Sequence, residues 1–281
     1  KHFASKKGIR FKCDILSPNK CPTCPHSMSS ALLLGFTEDS TCYYNAYELK
    51  SKYGWTKLIE LLKYIWFFND EKSVYYNKLD SVLNIDRAIR MLAFNNLFVN
   101  LDSYSWSGHN YYLIEDSSGK FNTVIWDLNM CFGGFSMGYK SELHKLPVFL
   151  NSENEYKPLI KSLLSRDEYR KKYIAHYKYL LEEIVEAGYL KKRAKDLHQL
   201  ISSYIKNDPW FYYDDEVFNN SLFKDYYDIP ALISLMSKRE EFLHSTAIFD
   251  YEELIIKSPK LTANDNLINF SVETENINNV Y

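Results

Sequence analysis

The chain has 281 residues, of which 46% are hydrophobic and 25% charged, enough to bury a sizeable core and too apolar for a disordered segment. Its 34 basic and 36 acidic residues leave a net charge of −2, which does not point to nucleic acid as a partner. Glycine is scarce at nine residues, no glycine-rich phosphate loop of the G-x-G-x-x-G or P-loop kind occurs, and the strongest apolar stretch, 58–68, is broken by Glu60 and Lys63, so the sequence contains no membrane span. The 24 tyrosines suit surfaces that meet polar ligands or carbohydrate, and equally a compositional bias. The chain begins at Lys1 without a signal-like segment and ends inside a strand-like pattern, as expected of a piece of a longer polypeptide.

Residues 1–44 show little periodicity, and three prolines between Ser17 and Pro25 mark a loop. Residues 45–68 read as a helix, with Leu58, Ile59, Leu61, Leu62 and Ile65 on one side, and 84–101 as a second, capped by Asn84 or Ser81. A hairpin follows: His109–Glu115, a turn at Asp116–Gly119, and a return strand Phe121–Asp127. Pairing around that turn sets Asp127 beside His109 and Asn110. Residues 130–150 read as loop and 157–245 as helical. Ser165–Glu168 has the pattern of a capping box that opens a helix with Tyr169, Tyr173, Ile174 and Tyr177 on one stripe, stopped by Gly188. Further helices are expected at 189–206 and from Pro230, as a first-turn residue, to His244. Beyond 246 the pattern changes: Ile268, Phe270 and Val272 alternate as in a strand, with Pro259 marking a boundary. The fold class is α+β, mostly helical around one hairpin, with the start of a C-terminal β-domain.

Four of the five cysteines fall within the first 42 residues. Cys13, Cys21 and Cys24 with Cys42 or His26 have the composition of a zinc site; two disulfides of a secreted protein, or free thiols, are the alternatives. Cys131 reads as a small buried residue. Asn219-Asn-Ser and Asn269-Phe-Ser match the N-glycosylation pattern and lend weak support to secretion.

Polar residues are dense between 100 and 129: Asn100-Leu-Asp102-Ser-Tyr, Gly108-His-Asn110-Tyr-Tyr and Trp126-Asp127-Leu-Asn129. Asp102 follows a helix, Asn110 opens a strand and Asp127 closes its partner, so three oxygen donors converge at one end of the hairpin. Carboxylate and carboxamide oxygens are the ligands that hard Mg²⁺ takes alongside phosphate. The order Asp, Asn, hairpin, Asp is that of kinase active sites, with a longer first gap than in conventional kinases. Such residues also cap helices and bond local backbone, which is the simpler reading for Asp102 taken alone.

These motifs resemble the CotH family of spore-coat-type secreted atypical kinases, in the stretches Asn100-Leu-Asp-Ser-Tyr104, His109-Asn-Tyr-Tyr-Leu113 and Ile125-Trp-Asp-Leu-Asn-Met-Cys-Phe-Gly-Gly134. The likeness runs over about 30–245 and implies an atypical protein-kinase-like fold: 1–44 as the tail of an N-lobe with a Cys-rich loop, 45–250 as the C-lobe, and 251–281 as linker and truncated start of a β-sandwich-like domain. It implies transfer of the γ-phosphoryl of ATP to protein hydroxyls with Mg²⁺. Asp102 is then the catalytic carboxylate and Asp127 the metal ligand. Asn110 is added from geometry as a second metal ligand, and His109 and Asn110 are placed at the cofactor. Asn129 stands where some members carry Asp, and the Cys-rich insertion at 13–25 departs from the family pattern. The implied partners are a protein substrate, or a surface protein or glycan, and the implied location is secreted or at the cell surface. The alternative is a non-catalytic adhesion module that keeps the fold.

Overall fold

The computed structural model describes residues 8–16, 24, 30–136, 138–139 and 142–249, and the backbone of 255–264 and 267–275. Strands β1 (Arg10–Cys13), β2 (Tyr47–Leu49), β3 (Tyr111–Glu115) and β4 (Phe121–Ile125) form one antiparallel sheet in the order β2-β1-β3-β4. Alternation sorts its two faces. Phe11, Cys13, Tyr47, Tyr111, Leu113 and Phe121 are buried on the inner face. Lys12 stands on the outer face in register with Glu48 and Tyr112, and Tyr112 meets the exposed Trp126 edge-on at 5.3 Å.

The helix expected over 45–68 is shorter. Residues 47–49 form β2, and α1 (Trp55–Trp66) begins only after Gly54. The break has a local cause: Gly54 sits at φ +154°, and a Cβ there would approach the Ile9 side chain to 2.5 Å. The next helix, α2 (Ile85–Leu97), starts as expected, with Asn84 accepting the Arg87 N–H at 3.1 Å. It ends four residues earlier than its apolar pattern, because Val99 takes a left-handed φ of +50°. That turn is held from outside by the Phe132 and Gly133 N–H groups, which donate to the Phe98 and Val99 carbonyls at 2.9 and 3.0 Å.

The C-terminal half is helical: α3 (Pro158–Leu164), α4 (Asp167–Leu180), a π-helical turn over Leu181–Glu186, α5 (Tyr189–Ile205), α6 (Asp215–Asn220) and α7 (Leu232–His244). The stripe Tyr169, Tyr173, Ile174, Tyr177 is buried as expected. The capping box at Ser165–Glu168 does not form. Ser165 closes α3 instead, its hydroxyl donating to the Ser162 carbonyl at 3.0 Å, and Arg166 precedes α4 without a side-chain cap. Pro230 lies ahead of α7 rather than in its first turn, and α6, capped by Asp214, was not anticipated. In a separate pair, β5 (Ile255–Asn264) runs antiparallel to β6 (Leu267–Glu275). Pro259 falls inside β5 at a register irregularity between Lys257 and Lys260, a place that suits a residue without an N–H, and not at a boundary.

Arg239 of α7 ties these layers together from a fully buried position. Its guanidinium donates to the His144 and Leu146 carbonyls at 3.0 and 2.5 Å, to Asn96 Oδ1 at 3.0 Å and to the Tyr177 hydroxyl at 2.6 Å. One side chain thus joins α2, α4, α7 and the 144–146 segment, its charge met by carbonyl and hydroxyl dipoles.

The zinc reading of the cysteines is overturned. Cys24 and Cys42 form a disulfide, and Cys13 is a free thiol facing the core beneath the sheet. Cys21 and His26 lie outside the described residues. Cys131 is buried, as expected, and burial pushes its thiol up to about 12. Among the described residues no helix is long and apolar enough to cross a membrane.

The β3–β4 turn is set by Asp116. Burial works against its charge, but bonds from the Ser118 hydroxyl, Asn122 Nδ2 and the Ser118 and Lys120 N–H groups outweigh it and hold the carboxyl at about 2, below its ordinary 3.8. A carboxyl lowered on folding stabilises above the unfolded value, and that contribution is lost as pH falls through the folded value. Asp116→Asn is therefore expected to cost about 1 kcal/mol near neutrality, after discounting for solvent screening. Denaturant melts should show the gap to wild type closing between about pH 4 and pH 2; a gap independent of pH would contradict this assignment.

Candidate functional site

The segment after α2 is fixed by bonds from four directions. Asn100 is buried and donates to Asn95 Oδ1 at 3.0 Å, while the Ser103 hydroxyl donates to the Asn100 carbonyl at 2.6 Å. The Tyr104 hydroxyl donates to the Leu32 carbonyl at 3.1 Å and accepts the Leu159 N–H at 3.2 Å. Asn151 Nδ2 donates to the Ser105 carbonyl at 2.7 Å. Lys157 donates to the Tyr104 and Trp106 carbonyls from a buried site, and burial lowers its ammonium to about 8. Gly108 closes the loop at φ +79°, where a Cβ would meet the Leu32 side chain at 2.3 Å.

This loop presents Asp102 with its side chain only 13% exposed. Its Oδ1 accepts from His109 Nε2 at 2.7 Å, and its Oδ2 from Asn110 Nδ2 at 2.9 Å. The same amide nitrogen bonds the Asp102 carbonyl at 3.0 Å, which leaves Asn110 Oδ1 as the atom available to a cation. Asn110 sits at φ +59°, a left-handed conformation that Asn tolerates better than most residues.

The hairpin register is the one expected. Tyr111 pairs with Ile125, the last pair of the ladder, and the Trp126 N–H donates to the Asn110 carbonyl at 3.1 Å. Asp127 is exposed, because the chain leaves β4 after Ile125 and turns at Asp127 with φ +51°. Its carboxylate makes no hydrogen bond or ion pair among the described residues. Trp126 and Leu128 on either side are about half exposed, at 48% and 45%.

The structure thus brings Asp102, His109 and Asn110 into direct contact, whereas Asp127 lies two residues beyond the last pair of the ladder and makes no hydrogen bond or ion pair with them. Two further residues, Lys12 and Asp14 of the Phe11-Lys-Cys-Asp14 string, were not among the site residues expected from sequence. Asp14 Oδ1 lies 3.5 Å from His109 Nδ1, and its Oδ2 lies 2.5 Å from the Lys12 ammonium. Burial opposes the Asp14 charge, but Lys12, the Ile15 N–H and His109 together hold its carboxyl below the usual range. Only the long-range pairing of β1 with β3 brings these residues here, and the alternation of Arg10–Cys13 was the signal available.

Among the described residues, the group of three His and carboxylate side chains spaced for a metal is not at the hairpin. It comprises Glu186, Glu240 and His244, with His244 Nε2 2.9 Å from Glu186 Oε1. The four-residue spacing of Glu240 and His244 on one helix was visible in the sequence; the π-helical turn that supplies Glu186 was not.

The family model described as CotH kinase protein matches residues 1–243. The chain belongs to that family, and the match takes in the sheet, the Asp102 loop and the helices through most of α7, leaving β5 and β6 outside it. A search of curated proteins gives no match.

The Gly108 geometry carries a prediction. Gly108→Ala is expected to cost about 3 kcal/mol, combining a left-handed backbone with a clash. Hydrogen exchange should quicken at 30–33 and 102–110 together; wild-type stability and exchange in this variant would contradict the packing described.

Proposed function

We propose that this chain is the catalytic portion of a CotH-type kinase, an atypical kinase-like lobe over 45–250 that directs a protein hydroxyl onto the γ-phosphoryl group of ATP. The carrying observation is the Asp102 carboxylate, fixed through both oxygens by His109 and Asn110, with Asp127 exposed at the end of the same hairpin and unpaired among the described residues. Family membership supports the reading.

Asp102 accepts a bond at each oxygen and keeps a lone pair on each for a substrate hydroxyl. In the reaction the hydroxyl oxygen bonds to the γ-phosphorus, the bond to the β–γ bridging oxygen breaks, ADP leaves with the electron pair, and the hydroxyl proton passes to Asp102. His109 and Asn110 hold the carboxylate in one orientation for that transfer. The donor set fits Mg²⁺: the exposed carboxylate of Asp127 and the spare Oδ1 of Asn110 are hard oxygen ligands. Asp127 and Asn110 would hold the ion, which when bound neutralises phosphate charge. The Cys24–Cys42 disulfide supports a secreted or cell-surface location, since such bonds persist in oxidising compartments.

One observation favours the adhesion-module reading. The excursion between α5 and α7 exposes Trp210, Tyr212 and Tyr227 at 76%, 91% and 88%, amid Asp208, Asp214, Asp215, Glu216, Asp225 and Asp228. Such rings suit a glycan or protein partner. The two readings part on chemistry. With ATP, Mg²⁺ and casein as a generic acceptor, the kinase reading expects phosphoryl transfer that falls about 10²- to 10⁴-fold in Asp102→Asn. It expects calorimetric Mg²⁺-dependent nucleotide binding to vanish in Asp127→Ala, with both variants still folded. Transfer unaffected by Asp102→Asn, or none from wild type, would leave the binding module as the better account.

A further inference from the structure

We infer that Asp14, held by Lys12, is a positioning residue for the Asp102–His109 pair. The inference deepens the proposed kinase reading, and its geometric half stands without it. Four side chains form one chain of charges: Lys12 Nζ to Asp14 Oδ2 at 2.5 Å, Asp14 Oδ1 to His109 Nδ1 at 3.5 Å, and His109 Nε2 to Asp102 Oδ1 at 2.7 Å. The His109 imidazole therefore has a carboxylate at each nitrogen. A ring with one such partner keeps its Nε2 bond while swinging about it; a second carboxylate on the opposite nitrogen removes that freedom.

Asp14 is itself placed by backbone. The β1–β3 register runs from Arg10/Ile114 to Cys13/Tyr111, so the following pair is Asp14 and Asn110, the neighbour of His109. The Asp14 N–H donates to the Ala46 carbonyl at 3.0 Å, and Asp14 Oδ1 accepts the Ile15 N–H at 2.8 Å. An exposed Lys–Asp pair contributes little. This one is different in kind: Lys12 and Asp14 are 27% and 19% exposed, and Asp14 extends from the pair into the Asp102 loop. Among the described residues, Glu48 stands across from Lys12 in the β1–β2 register and is itself paired with Lys50.

The test uses the whole chain with Asp14→Asn, Asp14→Glu, His109→Gln and the double variant Asp14→Asn/His109→Gln. Two readouts are needed: phosphoryl transfer from Mg-ATP to casein, and the ¹H–¹⁵N spectrum of the His109 imidazole. Asp14→Asn is expected to lower kcat about tenfold to a hundredfold with KM for ATP unchanged, since only orientation is lost. Adding it to His109→Gln should cost nothing further, and Asp14→Glu should recover part of the rate. In the spectrum, a slowly exchanging imidazole N–H resonance of His109 should be present in wild type and Asp14→Glu and lost in Asp14→Asn. Additive losses in the double variant, or an unchanged His109 resonance in Asp14→Asn, would overturn the inference. A wild-type chain without transfer, whose His109 resonance still depends on Asp14, would uphold the positioning role and sink the kinase reading alone.

Discussion

Both oxygens of Asp102 are taken, one by His109 and one by Asn110, and the organisation around the hairpin follows from keeping them so. A carboxylate near the end of a helix is ordinarily free to swing. Here its two partners come from the first turn into β3, seven and eight residues on, so the loop between must return on itself. That return requires Gly108 in a left-handed conformation against Leu32 and Asn110 in another. It also requires the carbonyls of the loop to find donors, which Lys157 and Asn151 provide from the segment before α3. Backbone strain concentrated beside a fixed carboxylate is stable only because so many contacts determine it together.

Support reaches this loop from the N-terminal region as well. The Tyr104 and Tyr111 hydroxyls donate to the Leu32 and Ala31 carbonyls, and the Leu33 N–H donates to the Tyr47 hydroxyl at 2.9 Å. Segment 30–33 is thus the wall behind the loop, and it lies within the span closed by the Cys24–Cys42 disulfide. Three of the abundant tyrosines therefore serve as long hydrogen-bond donors and acceptors inside the core, a use that composition alone did not reveal. On the far side, Arg239 binds the 144–146 segment to α2 and α4, so the loop that follows Asp127 returns to a fixed frame.

What the sequence disclosed was local. The Asp116–Gly119 turn determined the hairpin register from Glu115 and Phe121 to Tyr111 and Ile125, because a side-chain period of two leaves no intermediate choice. The Asn84 cap and the tyrosine stripe of α4 were legible for the same reason. What it hid was non-local or competitive. Asp14 joins His109 only through β1–β3 pairing, between residues about a hundred positions apart. Ser165 met the pattern of an N-cap, yet the preceding helix claimed it first. The cysteine spacing was compatible with zinc until Cys13 entered a strand facing the core, leaving Cys42 to Cys24. Asp127 followed three apolar residues and was still exposed, since one left-handed residue reverses the direction in which a strand end points.

The central claim is that the mouth of the hairpin, and not the Glu186–Glu240–His244 group, receives a metal-bound nucleotide. Paramagnetic broadening by Mn²⁺-ATP in the ¹H–¹⁵N spectrum of the whole chain tests it most directly. The account predicts that signals from residues 102, 109–110 and 126–128 broaden first, the Trp126 indole among them, and that Asp127→Ala abolishes the effect. Broadening centred on Glu186, Glu240 and His244, with the hairpin signals unchanged, would contradict it.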